Sequence, residues 1–140
     1  MAMVLNASNS KELLAEYAEE CAIAELGEIS PSRELYSNLE AHGMKTIAAL
    51  DEGRLVGFAT LLTYMVPHYG KKVAATESIF VARGYRGKIG RRLLDFIEAL
   101  ARKEQCAAVF YSAPVGSRFA EYLRLSGRFR HSNEVYLCPL

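Results

Sequence analysis

Residues 77–98 constrain the fold of this chain more than any other stretch: Glu-Ser-Ile-Phe-Val-Ala-Arg-Gly-Tyr-Arg-Gly-Lys-Ile-Gly-Arg-Arg-Leu-Leu-Asp-Phe-Ile-Glu. Ile79, Phe80 and Val81 form a short apolar, β-prone run, and glycine follows at Gly84, Gly87 and Gly90. Ile89, Leu93, Ile97 and Leu100 then fall on one helical stripe. The unit is a strand, a glycine-rich turn and a helix, and whatever surrounds it must give the strand a sheet and the helix a face to cover.

The charges at the turn point to a ligand. Arg83, Arg86, Lys88, Arg91 and Arg92 crowd the start of the helix. A helix N-terminus carries partial positive charge, so each nearby cation costs about 0.3–1 kcal/mol. A bound anion reverses that sign. Free backbone N–H groups, glycines that admit a ligand and basic side chains together suit a phosphate group. The alternative is a solvated basic turn.

Length and composition set the outer limits. A chain of 140 residues is expected to form one domain, residues 1–140. Net charge is +1, so no global field calls for a nucleic acid or a membrane, and the local basic cluster suits a small anion better than a polyanion. No apolar run approaches the roughly 18 residues of a membrane span. The start, Met1-Ala-Met-Val-Leu-Asn, lacks the features of a signal peptide. Cys21, Cys106 and Cys138 read as reduced thiols of a cytoplasmic protein, and His42, His68 and His131 are too dispersed for a metal site.

Taken in order, the chain predicts a first edge strand at Val4–Ala7 and a helix over 10–26 closed by Gly27. A second helix follows, with Ser30 as N-cap, Pro31 in its first turn, and Leu35 and Leu39 on one face. Lys45–Leu50 and Arg54–Met65 read as strands joined by a hairpin turn at Asp51-Glu-Gly-Arg, with Gly57 marking a bend or bulge. Lys72–Val81 is the motif strand. Beyond the motif helix come a strand over Ala107–Ala113, a helix over Ser117–Ser126 and a last strand over Glu134–Cys138. The order β-α-α-β-β-β-α-β-α-β describes an α/β fold, a mixed sheet with helices on its faces.

From Val81 to Arg91 the sequence Val-Ala-Arg-Gly-Tyr-Arg-Gly-Lys-Ile-Gly-Arg resembles the acyl-CoA-binding motif of the GNAT superfamily of N-acyltransferases. There a strand ends Val-x-Pro-x-Tyr-Arg-Gly, and an Arg/Gln-x-x-Gly-x-Gly/Ala loop cradles the cofactor's pyrophosphate. This chain departs twice. Arg83 stands where proline is usual, and Lys88 is followed directly by Ile89, which makes the loop one residue short. The resemblance extends more weakly over nearly the whole chain. Its length, its order of elements and the Tyr64–Tyr69 segment look like small members, including ones carried by bacteriophages. It implies a GNAT-like fold and transfer of an acetyl group from acetyl-CoA to a primary amine, by direct attack in a ternary complex. The implied cofactor-binding residues are Ile79, Phe80 and Val81 on the strand and Arg86, Gly87, Lys88, Ile89, Gly90 and Arg91 in the loop. Ser112 is added as a contact to the pantetheine arm, where asparagine is commoner.

Such chemistry needs a base for the amine, a donor for the developing oxyanion and an acid for the departing thiolate. Glu77, at the start of the apolar part of the motif strand, is the candidate base; its structural alternative is an ion pair with Lys72 or Arg54. The resemblance offers Tyr122 as the acid, from a Leu-Tyr-x-x-x-Gly-Phe pattern. It lies five residues before Gly127 and seven before Phe129, so the register is off, and an aromatic anchor is the alternative. His68 and Tyr69 fall where the family lines its acceptor pocket, or else form an exposed turn. The acceptor itself is a small molecule or a peptide amine, and the chain leaves room for a homodimer. The competing class is a non-catalytic domain that binds CoA or a polyanion through the 83–92 turn. The near-zero charge and the lack of aromatic-basic interleaving disfavour it.

Overall fold

The computed structural model describes residues 1–21 and 29–140. The elements are α1 (Ala2–Leu5), α2 (Ser10–Cys21), α3 (Arg33–Ala41), β1 (Lys45–Asp51), β2 (Arg54–Val66), β3 (Lys71–Val81), a 3-10 turn (Arg83–Tyr85), α4 (Lys88–Lys103), β4 (Val109–Phe110) and α5 (Arg118–Leu125). The sheet order is β1-β2-β3-β4. The first three strands form an antiparallel meander, and β4 returns through α4 to pair parallel with β3. The fold is α/β with a mixed sheet, as the sequence implies.

The two faces of the sheet carry separate cores. On one, Met1, Val4, Leu13, Met44, Leu55, Phe58 and Phe80 are buried under α1 and α2, with Tyr36 of α3 packed against them. Tyr17 meets Phe58 and Phe80 edge-on, each with ring centroids 5.5 Å away. On the other, Leu93, Ile97 and Ala101 of α4 cover Ile47, Ala59, Leu61 and Ala74. That helical stripe was legible in the sequence. Phe58 is fully buried, so its truncation to alanine would cost ~3–5 kcal/mol.

Strand alternation alone would not place these residues. Ala49 pairs with Gly57 but Leu50 with Leu55, so Val56 is an extra residue in β2. The bulge puts Leu55 and Phe58 on the same face although they are three residues apart. Gly57 beside it is required by close approach, because a Cβ there would sit 2.8 Å from the Phe80 carbonyl oxygen. The bend expected at Gly57 is this bulge.

Several expectations are corrected. Val4–Ala7 is not a strand: Met1, Val4 and Leu5 follow helical spacing, and the Leu5 N–H bonds the Met1 carbonyl at 3.0 Å. Helix α3 starts two residues late, because Ser32 rather than Ser30 has an amide at the right spacing, Leu35 N at 3.3 Å. The strand expected over 107–113 shrinks to Val109–Phe110, because β3 leaves the ladder beyond Ala75. The expected strand 134–138 has no pairing partner among the described residues. Val135 and Tyr136 are exposed, since β-propensity forms a strand only where an edge receives it. The predicted end of the first helix, residues 22–27, lies outside the described residues.

Candidate active site

The site is assembled where β3 changes phase. Thr60 pairs with Ser78, yet Leu61 pairs with Thr76, so Glu77 is an extra residue in β3. The bulge flips the alternation. Ala74 before it faces α4, and so do Ile79 and Val81 after it, while Phe80 turns to the opposite core. Glu77 turns to the α3 side and is exposed. The Tyr36 hydroxyl lies 3.1 Å from each of its carboxylate oxygens, and Thr60 Oγ1 donates to Oε2 at 2.8 Å. Thr60 is fully buried; it accepts from the Ser78 N–H at 3.0 Å and contacts Ser78 Oγ at 2.7 Å. This network leaves the Thr60 hydroxyl proton for Glu77. Burial, and then the charge of Glu77, hold the Tyr36 hydroxyl well above the usual tyrosine range, so it stays protonated and remains a donor.

Neither ion pair considered for Glu77 forms. Lys72 pairs with Glu104 at 3.3 Å and Arg54 with Glu12 at 2.6 Å. Among the described residues the carboxylate meets hydroxyls and no cation. Sequence reasoning missed Tyr36 and Thr60, since no local signal ties a helix tyrosine or a strand threonine to a carboxylate elsewhere.

At the same level β3 and β4 part. Ala74 and Ala75 pair with Val109 and Phe110, and then the Ser112 N–H reaches the Thr76 side chain, Oγ1 at 3.4 Å, instead of a backbone carbonyl. The Ala82 N–H bonds Val56 on the β2 side. By alternation Ile79 and Val81 therefore turn their backbone groups to the open edge. The Val81 carbonyl accepts there from Arg86 Nε at 3.1 Å. Ser112 stands at the mouth of this opening.

The basic turn divides in two. The Arg83 backbone N–H bonds Glu16 at 2.6 Å, its guanidinium bonds Glu19 at 3.0 Å, and it also bonds Glu20. Arg86 bonds Glu20 as well and lies 5.8 Å from the Phe80 ring centroid. Burial opposes the charge of Glu20, but hydrogen bonds from Arg83 and Arg86 hold its carboxyl below the usual range. Lys88, Arg91 and Arg92 are exposed, and no ion pair with them appears among the described residues. They surround a bare helix start. Gly87, at φ +82°, supplies no side-chain cap, and no acidic residue occupies the first turn. The first helical bond runs from Arg91 N to Gly87 O at 2.9 Å, so the amides of Lys88, Ile89 and Gly90 lack intrahelical acceptors. A side chain at Gly84, Gly87 or Gly90 would meet open space. Free amides, unpaired cations and an open approach fit a pyrophosphate, with Arg83 and Arg86 withdrawn toward α2.

The remaining candidates are not drawn to Glu77. Tyr122 stands on α5, with its ring 6.2 Å from Phe129, which in turn packs 5.3 Å from Tyr111. Tyr122 is 37% exposed. His68 and Tyr69 form the tip of the β2–β3 hairpin and face each other edge-on at 5.0 Å. Lys71 and Glu77 are separated by roughly 20 Å of strand at about 3.3 Å per residue. Among the described residues no cluster of three His, Cys, Asp or Glu could hold a metal, and no helix is long and apolar enough to cross a membrane.

Comparison with known proteins places this geometry in context. The sequence matches the acetyltransferase (GNAT) family over residues 11–118. No curated protein sequence matches it. The fold is similar to a ribosomal-protein-alanine N-acetyltransferase from Brucella melitensis biovar Abortus 2308, with TM-score 0.72 and 20% identity over 99% of this chain and 92% of that one. It is also similar to a putative acetyl transferase from Pyrococcus furiosus, with TM-score 0.69 and 18% identity over 93% of each chain. A third similar structure is an aminoglycoside acetyltransferase from an uncultured soil metagenomic sample, in complex with sisomicin. Its TM-score is 0.71, with 18% identity over 98% of this chain and 90% of that one.

Proposed function

The chain belongs to the GNAT family of acetyltransferases, and on that premise we propose how its residues carry out acetyl transfer to an amine. The reading takes residues 1–140 as one catalytic domain and acetyl-CoA as the donor. Acetyl-CoA supplies the acetyl group as an activated thioester. The amides of Lys88, Ile89 and Gly90 behind Gly87 would hold its pyrophosphate, with the side chains of Lys88, Arg91 and Arg92. The open edge of β3 at Ile79 and Val81, with Ser112, would take its pantetheine arm.

The amine approaches from the α3 side. Glu77 accepts its proton, directly or through one water, as the amine attacks the acetyl carbon in a ternary complex; the C–N bond forms, the acyl C–S bond breaks, and CoA departs as a thiolate that takes up a proton from solvent. Tyr36 and Thr60 fix the carboxylate while leaving its charge unpaired by any cation among the described residues. The backbone N–H of Ile79 is the donor available to the thioester oxygen. The observation that carries this reading is the bulge itself. It exposes an unpaired carboxylate one residue from Thr76, where β3 and β4 begin to part.

The test is thiol release from acetyl-CoA against a panel of amines, with calorimetric acetyl-CoA binding measured alongside. Amine-dependent release that collapses in Glu77→Gln, with binding intact, is expected. Full activity in that variant removes Glu77 from the mechanism.

A further inference from the structure

Resting on that reading of Glu77, we infer that the acceptor is a primary amine borne on a compact apolar group, rather than a polycation. Glu77 opens into a cleft of about 270 Å³, whose lining includes Pro31, Leu35, Tyr36 and Leu39. Leu35 and Leu39 lie one turn apart on α3 and are 64% and 41% exposed. The sequence pattern would have turned them inward, but Tyr36 takes the core-facing position. Two leucines left in solvent beside a carboxylate form an apolar wall with one charged end. An ammonium group at Glu77, with its hydrocarbon body along Leu35, Leu39 and Pro31, satisfies both.

Charge and size both oppose a polyamine or an aminoglycoside. Among the described residues Glu77 is the single acidic group lining the cleft. No described α2 residue lines the cleft, and Glu16, Glu19 and Glu20 of that helix are engaged by Arg83 and Arg86. A polycation would leave its further charges facing leucine. The volume equals roughly nine waters at about 30 Å³ each, room for an arylalkylamine or one apolar N-terminal residue. Those two sources share one chemistry.

The experiment measures kcat/KM by thiol release with phenethylamine, a pentapeptide beginning with phenylalanine, one beginning with aspartate, spermidine and kanamycin. Binding of phenethylamine alone is followed by NMR. The inference expects phenethylamine or the phenylalanine peptide to exceed the others by about tenfold or more, the scale on which apolar pockets discriminate. Which of the two leads decides between a free amine and a chain terminus. In Leu35→Glu, at an exposed position where folding is checked by circular dichroism, the preference should move toward spermidine. Equal or faster turnover of spermidine or kanamycin by the unaltered protein overturns the inference and leaves acetyl transfer standing. Failure of acetyl-CoA to bind or to be consumed with any amine overturns both.

Discussion

Two carboxylates, Glu20 on α2 and Glu77 on β3, have opposite surroundings. Glu20 bonds two guanidiniums and is locked into an ion-pair network with Arg83 and Arg86. Glu77 is held by two hydroxyls, Tyr36 and Thr60. A carboxylate between two arginines is stabilised in its charged form and has little tendency to take a proton. One held by neutral donors is oriented but not neutralised, and it stays open to an ammonium group. The same contrast sorts the cations: Arg83 and Arg86 are engaged, whereas Lys88, Arg91 and Arg92 stand clear of any described carboxylate.

The sharpest way to break this comparison is to remove the charge at Glu77. Glu77→Gln should lower kcat by about 10²-fold or more, the scale of general-base catalysis, with acetyl-CoA affinity unchanged by calorimetry. The engaged and free arginines come next. Arg91→Ala should weaken acetyl-CoA binding by about 1.5–3 kcal/mol, as charge-assisted hydrogen bonds do. Arg83→Ala should change it by less than about 0.5 kcal/mol, because a partner in a surface network contributes little to a distant ligand. Equal losses in the two variants would show that the ion pairs with α2 do not withdraw Arg83.

Smaller effects test the holding groups. Tyr36→Phe removes one donor to Glu77 and should cut kcat about tenfold with KM little changed, the kinetic counterpart of a lost hydrogen bond to a charged group, about 1.5 kcal/mol. A rise in KM alone would make Tyr36 a wall of the cleft and nothing more. The smallest effect concerns Glu20. Its folded carboxyl titrates below its ordinary value of 4.5, so its contribution is present above the unfolded pKa and is lost as pH falls through the folded one. Glu20→Gln should therefore lower stability by about 0.5–1 kcal/mol at pH 7, and denaturant melts of the two proteins should converge in strong acid.

The sequence determined what is local. The three meander strands appear as Lys45–Asp51, Arg54–Val66 and Lys71–Val81, within a residue of the expected ends. The strand–turn–helix unit, Gly87 at positive φ and the apolar stripe of α4 follow from period and glycine spacing, which each segment carries by itself. What sequence could not supply was pairing. A bulge is invisible until the facing strand fixes the register, so the side to which Glu77 turns was undecided. A run such as 134–138 is a strand only if an edge accepts it, and none among the described residues does. The sorting of the turn's cations rests on Arg83 and Arg86 meeting glutamates 63 to 66 residues earlier in the chain. The hold on Glu77 rests on a tyrosine 41 residues away. Contacts at such separation exist only once α2 and α3 are packed on the sheet, because their energy depends on distance in space and not along the chain.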